Sequence, residues 1–194
     1  MATLTEDSAA MDRASMHDLV SGRERALDEL MSRHAAPIHQ FLLRMVYQEE
    51  TAADLAQETF VRVFTHASKY DPAQRFSTWL YTIASNLARD FLRGQKRRPT
   101  VSLNATTGDE ELTLGDLQVD PSPLAPDVLM TEEQCARVRR AVAALPDDLR
   151  EAIVLCELEN LSLAEAAEVL KSTVKAIESR LYRARKLLRK ALQT

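Results

Sequence analysis

The densest cluster of side chains that could do chemistry lies in residues 171–194. This segment carries eight basic residues and a single acid, Glu178. Lysine and arginine neutralise phosphates, so a local excess of them indicates a nucleic-acid contact. The whole chain has a formal net charge of −4, so it should not bind polyanions over its entire surface. A second, smaller basic run contains Arg93, Lys96, Arg97 and Arg98.

The sequence around residues 171–194 predicts a helix-turn-helix that would position these cations. Ser162-Leu-Ala-Glu165 has the pattern of a capping box, which predicts a short helix through Leu170. Lys171-Ser172-Thr173 would form the turn. A longer helix follows, with the inward residues Val174, Ile177, Leu181, Ala184 and Leu188. A short helix, a tight turn and a basic helix together are typical of a DNA-binding motif.

Two more helices are predicted just upstream. Thr131-Glu-Glu-Gln134 is a second capping-box pattern and predicts a helix that runs to about Ala144. Pro146 suits the first turn of the next helix, because the N–H that proline lacks would be unpaired there in any case. The apolar residues of that helix are Leu149, Ile153, Val154 and Leu158.

Apolar residues at helical spacing predict a small antiparallel helical bundle in the first half of the chain. A helix pair, whose second member begins at Pro37, would contain Leu27, Leu30, Met31, Ile38, Phe41, Leu42 and Met45. A capping-box pattern at residues 51–54 would open the next stretch, with Leu55, Phe60, Val63 and Phe64. After a turn at residues 70–74, another helix places on one face Phe76, Trp79, Leu80, Ile83, Leu87 and Phe91.

The composition predicts an all-α protein of two small helical domains. Hydrophobic residues make up 45% and charged residues 28%, as in an ordinary globular chain, and only 4 glycines interrupt it. Residues 99–129 contain four prolines and several acids but no lysine or arginine, which indicates a flexible acidic linker. We therefore expect one domain at residues 1–98 and a second at 130–194.

The remaining reactive side chains predict no catalytic residue, no metal site and no cofactor. Cys135 and Cys156 are 21 positions apart and have no ligand spacing, so we expect reduced thiols. Paired ligand geometry is also missing around the histidines, His17, His34, His39 and His66. No apolar run approaches the ~18 residues that a membrane span needs, so we expect no membrane insertion and a cytoplasmic protein.

Six segments, taken in order, identify a family. The first half contains Ala53-Asp-Leu-Ala-Gln-Glu-Thr-Phe60, Phe76-Ser-Thr-Trp-Leu-Tyr-Thr-Ile-Ala-Ser-Asn86 and Arg97-Arg-Pro99. The second half contains Leu145-Pro-Asp-Asp-Leu-Arg150, Leu161-Ser-Leu-Ala-Glu-Ala-Ala167 and Glu178-Ser-Arg-Leu-Tyr-Arg-Ala-Arg185. These segments resemble regions 2 and 4 of the extracytoplasmic-function (ECF) sigma factors of the sigma-70 superfamily. The resemblance covers roughly residues 15–98 and 130–190, and implies a non-enzymatic subunit that directs RNA polymerase to specific promoters.

The resemblance implies that Asp54, Gln57 and Glu58 dock on core RNA polymerase. The three share one helix face, which by itself would indicate only a solvated surface. In the family this stretch binds the clamp helices of the largest polymerase subunit, with Arg62 as a further candidate, and region 4 meets the flap of the second largest subunit. The chain departs from the family at Thr51-Ala52-Ala53, where acids are common, and this departure bears on the strength of docking.

Region 2 of similar proteins also recognises the minus-ten promoter element. The loop and helix positions that match are Tyr70, Asp71, Arg75 and Asn86. An amide such as that of Asn86 can both donate and accept hydrogen bonds, as the edge of an extruded base requires. Nearby phosphates would be met by Arg89, Arg93, Arg97 and Arg98.

Region 4 of similar proteins reads the minus-thirty-five element with the second helix of the helix-turn-helix. The matching base-reading candidates here are Glu178, Ser179, Tyr182 and Arg183. Arginine can pair with guanine through two hydrogen bonds. An acid at position 178, where relatives often have a basic residue, could accept from a cytosine amine or merely repel a phosphate that approaches wrongly. The predicted phosphate contacts are Lys175, Arg180, Arg185 and Lys186.

Two other classes of protein remain as alternatives. One is a stand-alone helix-turn-helix regulator that would bind palindromic DNA as a dimer through a sensing or dimerising first half. The first half instead carries the minus-ten and polymerase-docking segments. The other is an enzyme, for which no nucleophile with a base, phosphate loop or metal motif is present. The family further implies three partners: core polymerase, promoter DNA and a cognate anti-sigma factor.

Overall fold

The computed structural model describes residues 2–97 and 132–193. Four helices form an N-terminal domain: α1 (Ala2–Val20), α2 (Arg25–Val46), α3 (Glu49–Thr65) and α4 (Phe76–Arg97). Four form a C-terminal domain: α5 (Glu132–Ala143), α6 (Asp147–Ile153), α7 (Leu163–Val169) and α8 (Val174–Leu192). Every regular element in these two ranges is helical, which confirms the all-α prediction. The predicted linker at residues 99–129 and the predicted cap at Thr131 lie outside the described residues.

The helix α2 is continuous through Pro37, so the prediction that a new helix begins there was wrong. Proline fixes φ near the helical value and removes a single backbone hydrogen bond. That loss is outweighed by packing on both sides, because Leu30 lies before Pro37, Phe41 lies after it, and both are fully buried. Tertiary contacts on both sides therefore keep the helix continuous through the proline.

The start of α3 also differs from the prediction. The helix begins at Glu49 with Gln48 as its N-cap residue, so Thr51 lies inside the first turn instead of capping the helix. The Thr51 hydroxyl donates to Gln48 Oε1 at 2.9 Å. Two acids in the first turn, Glu49 and Glu50, favour this earlier start through the helix dipole.

The helix α1 was not predicted from the sequence. Its buried residues Met16 and Leu19 pack on the bundle, and Asp12 is also buried, at 4% exposure. Asp12 accepts from Arg33 Nε at 2.9 Å and lies 2.8 Å from His34 Nε2. Burial alone would raise the pKa of Asp12, but His34 and Arg33 outweigh it and lower that pKa below its ordinary value. This polar network joins α1 to α2.

The helix-turn-helix prediction is confirmed in the C-terminal domain. Ser162 Oγ accepts from the Glu165 N–H, and Glu165 Oε2 accepts from the Ser162 N–H at 2.9 Å, which completes a capping box. The turn is closed by Lys171, whose φ of 48° lies in the left-handed region. Ser172 N–H donates to the Ala167 carbonyl at 2.9 Å, which completes a Schellman-type helix end.

The inward face of α8 is largely as predicted. Ile177, Leu181 and Ala184 are buried. Val174 is 41% exposed, so its assignment to the core was wrong. It is the first residue of the helix, directly after the capping residue Thr173, where the chain has not yet turned toward the core.

The two domains pack against each other. Helix α4 contacts α7, and α2 contacts both α6 and the π-helical turn Val154–Leu158 that follows it. Buried side chains of the two domains form one continuous hydrophobic cluster. The contact therefore brings the helix-turn-helix against the helix that carries the predicted minus-ten residues.

Candidate polymerase and nucleic-acid interfaces

The predicted docking face on α3 is open to solvent. Asp54 and Gln57 are exposed and Glu58 is half-buried. Glu58 Oε1 accepts from Arg62 Nε at 2.8 Å, so one acid of the face is paired along its own helix. The face therefore presents the carboxylate of Asp54 beside the ion pair that Glu58 forms with Arg62.

Two apolar side chains extend this face, and the sequence reasoning missed them. Val61 is 48% exposed and Phe64 is 46% exposed, although Phe64 was expected in the core. Both lie along the stripe that starts at Asp54, two and three turns further on. That spacing was readable in the sequence. Apolar residues beside acids on one exposed face are typical of a protein-binding surface.

The predicted minus-ten loop is braced by its own side chains. Tyr70 Oη donates to the Gln74 carbonyl at 2.7 Å, and Asp71 Oδ1 accepts from the Ala73 N–H at 2.9 Å. The Tyr70 ring packs on Trp79, with 5.3 Å between ring centroids. Burial raises the pKa of Tyr70. The polar atoms of Tyr70 and Asp71 thus shape the loop, while Arg75 at its end is exposed.

A stripe along α4 collects the other predicted minus-ten residues. It contains Asn86, Arg89, Arg93 and Arg97, which recur at helical spacing. Asn86 Oδ1 accepts from Arg89 Nη2 at 3.3 Å. Arg93 pairs with Asp90 on the same helix. Arg98 lies outside the described residues.

Acidic side chains of the C-terminal domain meet this region of the N-terminal domain. Arg75 Nη1 lies 3.1 Å from Glu165 Oε1, and Arg89 Nε lies 3.2 Å from Glu151 Oε1. Both arginines are predicted minus-ten residues. The sequence reasoning did not foresee their pairing, because the partners are far apart in the chain.

Two more acids extend the same contact. Lys96 Nζ lies 2.6 Å from Asp147 Oδ2, and Gln74 Nε2 donates to Glu168 Oε2 at 3.5 Å. A polar cleft of about 380 Å³ opens between the minus-ten loop and α7, and Gln74 and Glu168 both line it. We use the name acid row for Asp147, Glu151, Glu159, Glu165 and Glu168.

Glu159, a deeply buried member of the acid row, joins three elements of the fold. Its Oε1 accepts from Arg44 Nη1 at 2.5 Å, and its Oε2 accepts from Tyr81 Oη at 2.7 Å. The Glu159 side chain is only 7% exposed. Burial raises the pKa of Glu159 although Tyr81 and Arg44 both counteract it, and burial together with Glu159 raises the pKa of Tyr81.

The predicted minus-thirty-five residues lie on α8 in two groups. The outward group consists of exposed residues: Lys175, Glu178, Ser179, Tyr182, Arg183 and Lys186. Tyr182 is 70% exposed, and Arg183 Nε donates to the Ser179 carbonyl at 3.4 Å. Arg185 is exposed but pairs with Glu157 of its own domain. Arg180 is half-buried, and its charge partly counteracts the burial that raises the pKa of Glu151 in the same domain. Arg180 therefore does not belong to the outward group.

Within 2–97 and 132–193, no group of three or more His, Cys, Asp or Glu side chains is arranged to hold a metal ion. No helix in this part of the chain is long and apolar enough to cross a membrane.

Family models match both domains. Sigma-70 region 2 matches residues 30–98 and Sigma-70 region 4 matches residues 135–188. Among curated proteins, the ECF RNA polymerase sigma factor SigW of Bacillus subtilis is 33% identical over 94% of this chain and 97% of its own length. The RNA polymerase sigma-H factor of Pseudomonas aeruginosa is 33% identical over 100% of this chain and 97% of its own length.

The fold also matches a solved structure of a related protein over nearly the whole chain. CnrH, in complex with the cytosolic domain of CnrY, superposes with a TM-score of 0.69 at 29% identity, over 94% of this chain and 97% of that one. The order of the two matched regions, the near-complete coverage of the relatives and the superposition all agree. The chain therefore belongs to the extracytoplasmic-function sigma factors of the sigma-70 family, the RNA polymerase subunits that direct transcription initiation at specific promoters.

Proposed function

We propose that this sigma factor uses three separate surfaces during transcription initiation. The exposed face of α3 docks on core polymerase, the minus-ten loop and the α4 stripe take the minus-ten element, and the outward group of α8 reads the minus-thirty-five element. The observation that carries this proposal is the two-sidedness of α4 and α8. Each buries one face in its domain, as Leu80 and Ile177 do, and carries its predicted DNA residues on the part of its surface that remains half-buried or exposed.

At the minus-ten element, we propose that one residue binds an extruded base while neighbouring arginines bind the phosphates. Asn86 would bond the edge of an extruded base, and the loop that Tyr70 and Asp71 brace would contact the same promoter element. Arg89, Arg93 and the arginines that follow would fix the strand through its phosphates, which positions the bases without reading them. A braced loop suits this task, because little conformational freedom remains to be lost on binding.

At the minus-thirty-five element, the proposed reader is the outward group of α8 in the major groove. Arg183 would pair with a guanine, and Glu178 would accept from a cytosine amine. Lys175 and Lys186 would neutralise phosphates on either side. Arg180 is the weakest of the predicted contacts, since it is half-buried near Glu151 of its own domain.

The remaining parts of the proposal follow from family membership. We place region 2 at residues 1–98, the linker at 99–129 and region 4 at 130–194. No catalytic residue is assigned to this chain, because RNA synthesis belongs to the polymerase. We also propose that the protein acts in the cytoplasm and has a cognate anti-sigma factor. The relative CnrH, which forms a complex with the cytosolic domain of CnrY, supports such a partner.

Transcription in vitro tests the proposal as a whole. Purified core polymerase, with and without this protein, would be given a library of fragments from the source genome. We expect a set of transcripts that depends on the protein and shares upstream sequence elements. Tight sequence-specific binding to duplex DNA by the protein alone, with no dependence on polymerase, would instead support a stand-alone regulator.

The docking surface is tested separately by charge reversal. Asp54→Lys with Glu58→Lys should abolish co-purification with core polymerase and leave the thermal melt nearly unchanged, because exposed charges contribute little to stability. The matched control reverses two other exposed acids of the same domain, Asp7 and Asp28. Normal polymerase binding by the folded Asp54 and Glu58 variant would remove α3 from the docking role.

A further inference from the structure

Asn86, the proposed base reader, is bonded through its amide oxygen to a residue of its own helix. Arg89 Nη2 donates to Asn86 Oδ1 at 3.3 Å from a position three residues further along α4. A guanidinium has five N–H donors and no acceptor, so the atom of the amide that faces it must be the oxygen. The nitrogen of the same amide is therefore turned away from Arg89.

Arg89 is itself held in place by contacts of its Nε. This atom donates to the Ser85 carbonyl at 3.3 Å and lies 3.2 Å from Glu151 Oε1. Ser85 is fully buried, which keeps its carbonyl in one position. Arg89 is half-buried, and its Nη1 takes part in none of these contacts. One edge of the guanidinium is thus fixed against the helix, while Nη1 can still meet a phosphate.

The other polar neighbours of Asn86 on the helix surface are engaged elsewhere. Residues three and four positions apart lie on the same face of a helix. Thr82 Oγ1 donates to a backbone carbonyl of the preceding turn at 2.8 Å, and Asp90 forms an ion pair with Arg93. Among the residues that the structure describes, Arg89 is thus the one that bonds the Asn86 amide. The N–H groups of this amide are left for a ligand.

The orientation of this amide decides which base edges it can bond. Asparagine pairs with adenine through two hydrogen bonds, and this pairing needs the amide oxygen and the amide nitrogen together. An extruded base is read on its Watson–Crick edge, where adenine again has an amine beside a ring-nitrogen acceptor. With its oxygen directed at Arg89, the Asn86 amide presents N–H groups to the base. It then suits an edge with a carbonyl oxygen, as in cytosine, thymine or guanine, and adenine loses its second bond.

We propose that Arg89 is a positioning residue for base choice, which holds the Asn86 amide nitrogen toward the minus-ten base and so favours a base with a carbonyl oxygen over adenine. This inference deepens the proposed function and rests on it, because it takes Asn86 as the reader of an extruded base. The bonds from Arg89 to Asn86 and to Ser85 lie within α4. The amide is therefore oriented before the base arrives, and no ordering of it is left to be done on binding.

The test measures base preference instead of affinity. Holoenzyme formed with the full-length protein is given a pool of templates, in which the minus-ten element of a promoter recovered by the transcription test is randomised. The transcribed sequences are then counted. Asn86→Ala identifies the position that Asn86 reads, as the position where discrimination disappears. The main variant is Arg89→Met, because methionine is a long, flexible side chain without an N–H donor to hold the amide.

At the position identified, we expect the wild type to favour bases with a carbonyl oxygen over adenine. In Arg89→Met the amide can turn over, so this ratio should fall by about fivefold, the factor that one hydrogen bond contributes. Arg89→Lys keeps a donor without an acceptor and should retain the wild-type ratio. The matched control is Arg93→Met, which removes the same charge from the same stripe, where the partner is Asp90. This control should weaken transcription from all sequences alike and leave the ratio unchanged.

Thermal melts show that each variant is folded. Arg89→Gln is a second variant that should also lower the ratio, because its amide can accept from Asn86 as well as donate to it. A wild-type ratio in both folded variants, with the ratio lost in Asn86→Ala, would overturn the inference and leave the reading role of Asn86 intact. An equal change in Arg93→Met, or a wild type that prefers adenine, would overturn it as well. If Asn86→Ala flattens no position, the proposed reading role is itself wrong, and the inference is wrong with it.

Discussion

The buried Asp12 network gives the sharpest prediction for stability. Asp12→Ala removes the shared acceptor of Arg33 and His34, whose side chains are 24% and 15% exposed. Removing one partner of a buried ion pair costs about 3–5 kcal/mol, and we expect the lower end, about 3 kcal/mol, because part of Arg33 reaches solvent. Arg33 Nη2 also keeps its hydrogen bond to Ser15 Oγ at 2.9 Å.

For a chain of 194 residues, a loss of that size lowers Tm by about 6–12 °C. The matched control on the same helix is Asp18→Ala, which breaks an exposed pair with Arg23 and should cost no more than about 1 kcal/mol. Thermal and urea melts followed by circular dichroism measure both. If the two variants melt alike, the network does not hold α1 to the bundle.

The same network predicts a direction for pH dependence. His34 and Arg33 hold the pKa of Asp12 below its ordinary value of 3.8 despite burial, so the ionised form favours folding. The stability contributed by Asp12 is therefore complete above that ordinary pKa and is lost as pH falls through the lower folded value. The gap in stability between wild type and Asp12→Asn should be full at neutral pH and shrink below about pH 4. A gap that is unchanged in acid would contradict the ion pair.

Three further predictions concern the proposed surfaces. Arg183→Ala should cost roughly 1–3 kcal/mol of promoter-binding free energy and flatten discrimination at one base position, whereas Lys186→Ala should weaken binding to all promoters alike and reduce the salt slope by about one unit. The measurement is binding of the holoenzyme to promoters randomised in the minus-thirty-five element. Uniform weakening by Arg183→Ala would reassign base reading to its neighbours. Val61→Ala with Phe64→Ala should weaken co-purification with polymerase while leaving Tm within a few degrees, because both side chains are exposed; unchanged binding would exclude them from docking. Ser162→Ala should lower the free energy of unfolding by about 1 kcal/mol in urea melts, and no change would mean that the capping box is not stabilising.

Local patterns in the sequence were enough to predict the helix-turn-helix. Its determinants lie within a few residues of one another, as in the Ser162 and Glu165 capping box and in the inward spacing of Ile177 and Leu181. Such short-range signals act through hydrogen bonds and helix periodicity, which a single segment already contains. The exposed residues of α8 followed directly from the same periodicity.

Features that depend on contacts across the chain were not predicted. Continuity of α2 through Pro37 is decided by burial on both sides of the proline, and the helix α1 by a buried aspartate whose partners lie on another helix. Arg44 and Glu159 are 115 positions apart, so nothing in either segment indicated that they meet. The exposure of Phe64 was not predicted either, because amphipathic spacing groups it with Phe60 and Val63 but does not show where the buried face ends.

Glu165 takes part in two structures at once, the N-terminal cap of α7 and the contact between the two domains. Its carboxylate accepts from the Ser162 N–H and hydroxyl within α7, at 2.9 Å and 2.6 Å, and from Arg75 across the contact. When Arg75 leaves, the two bonds from Ser162 remain, so the carboxylate stays satisfied and α7 keeps its cap. Loss of the Arg75 contact therefore needs no refolding of the helix-turn-helix.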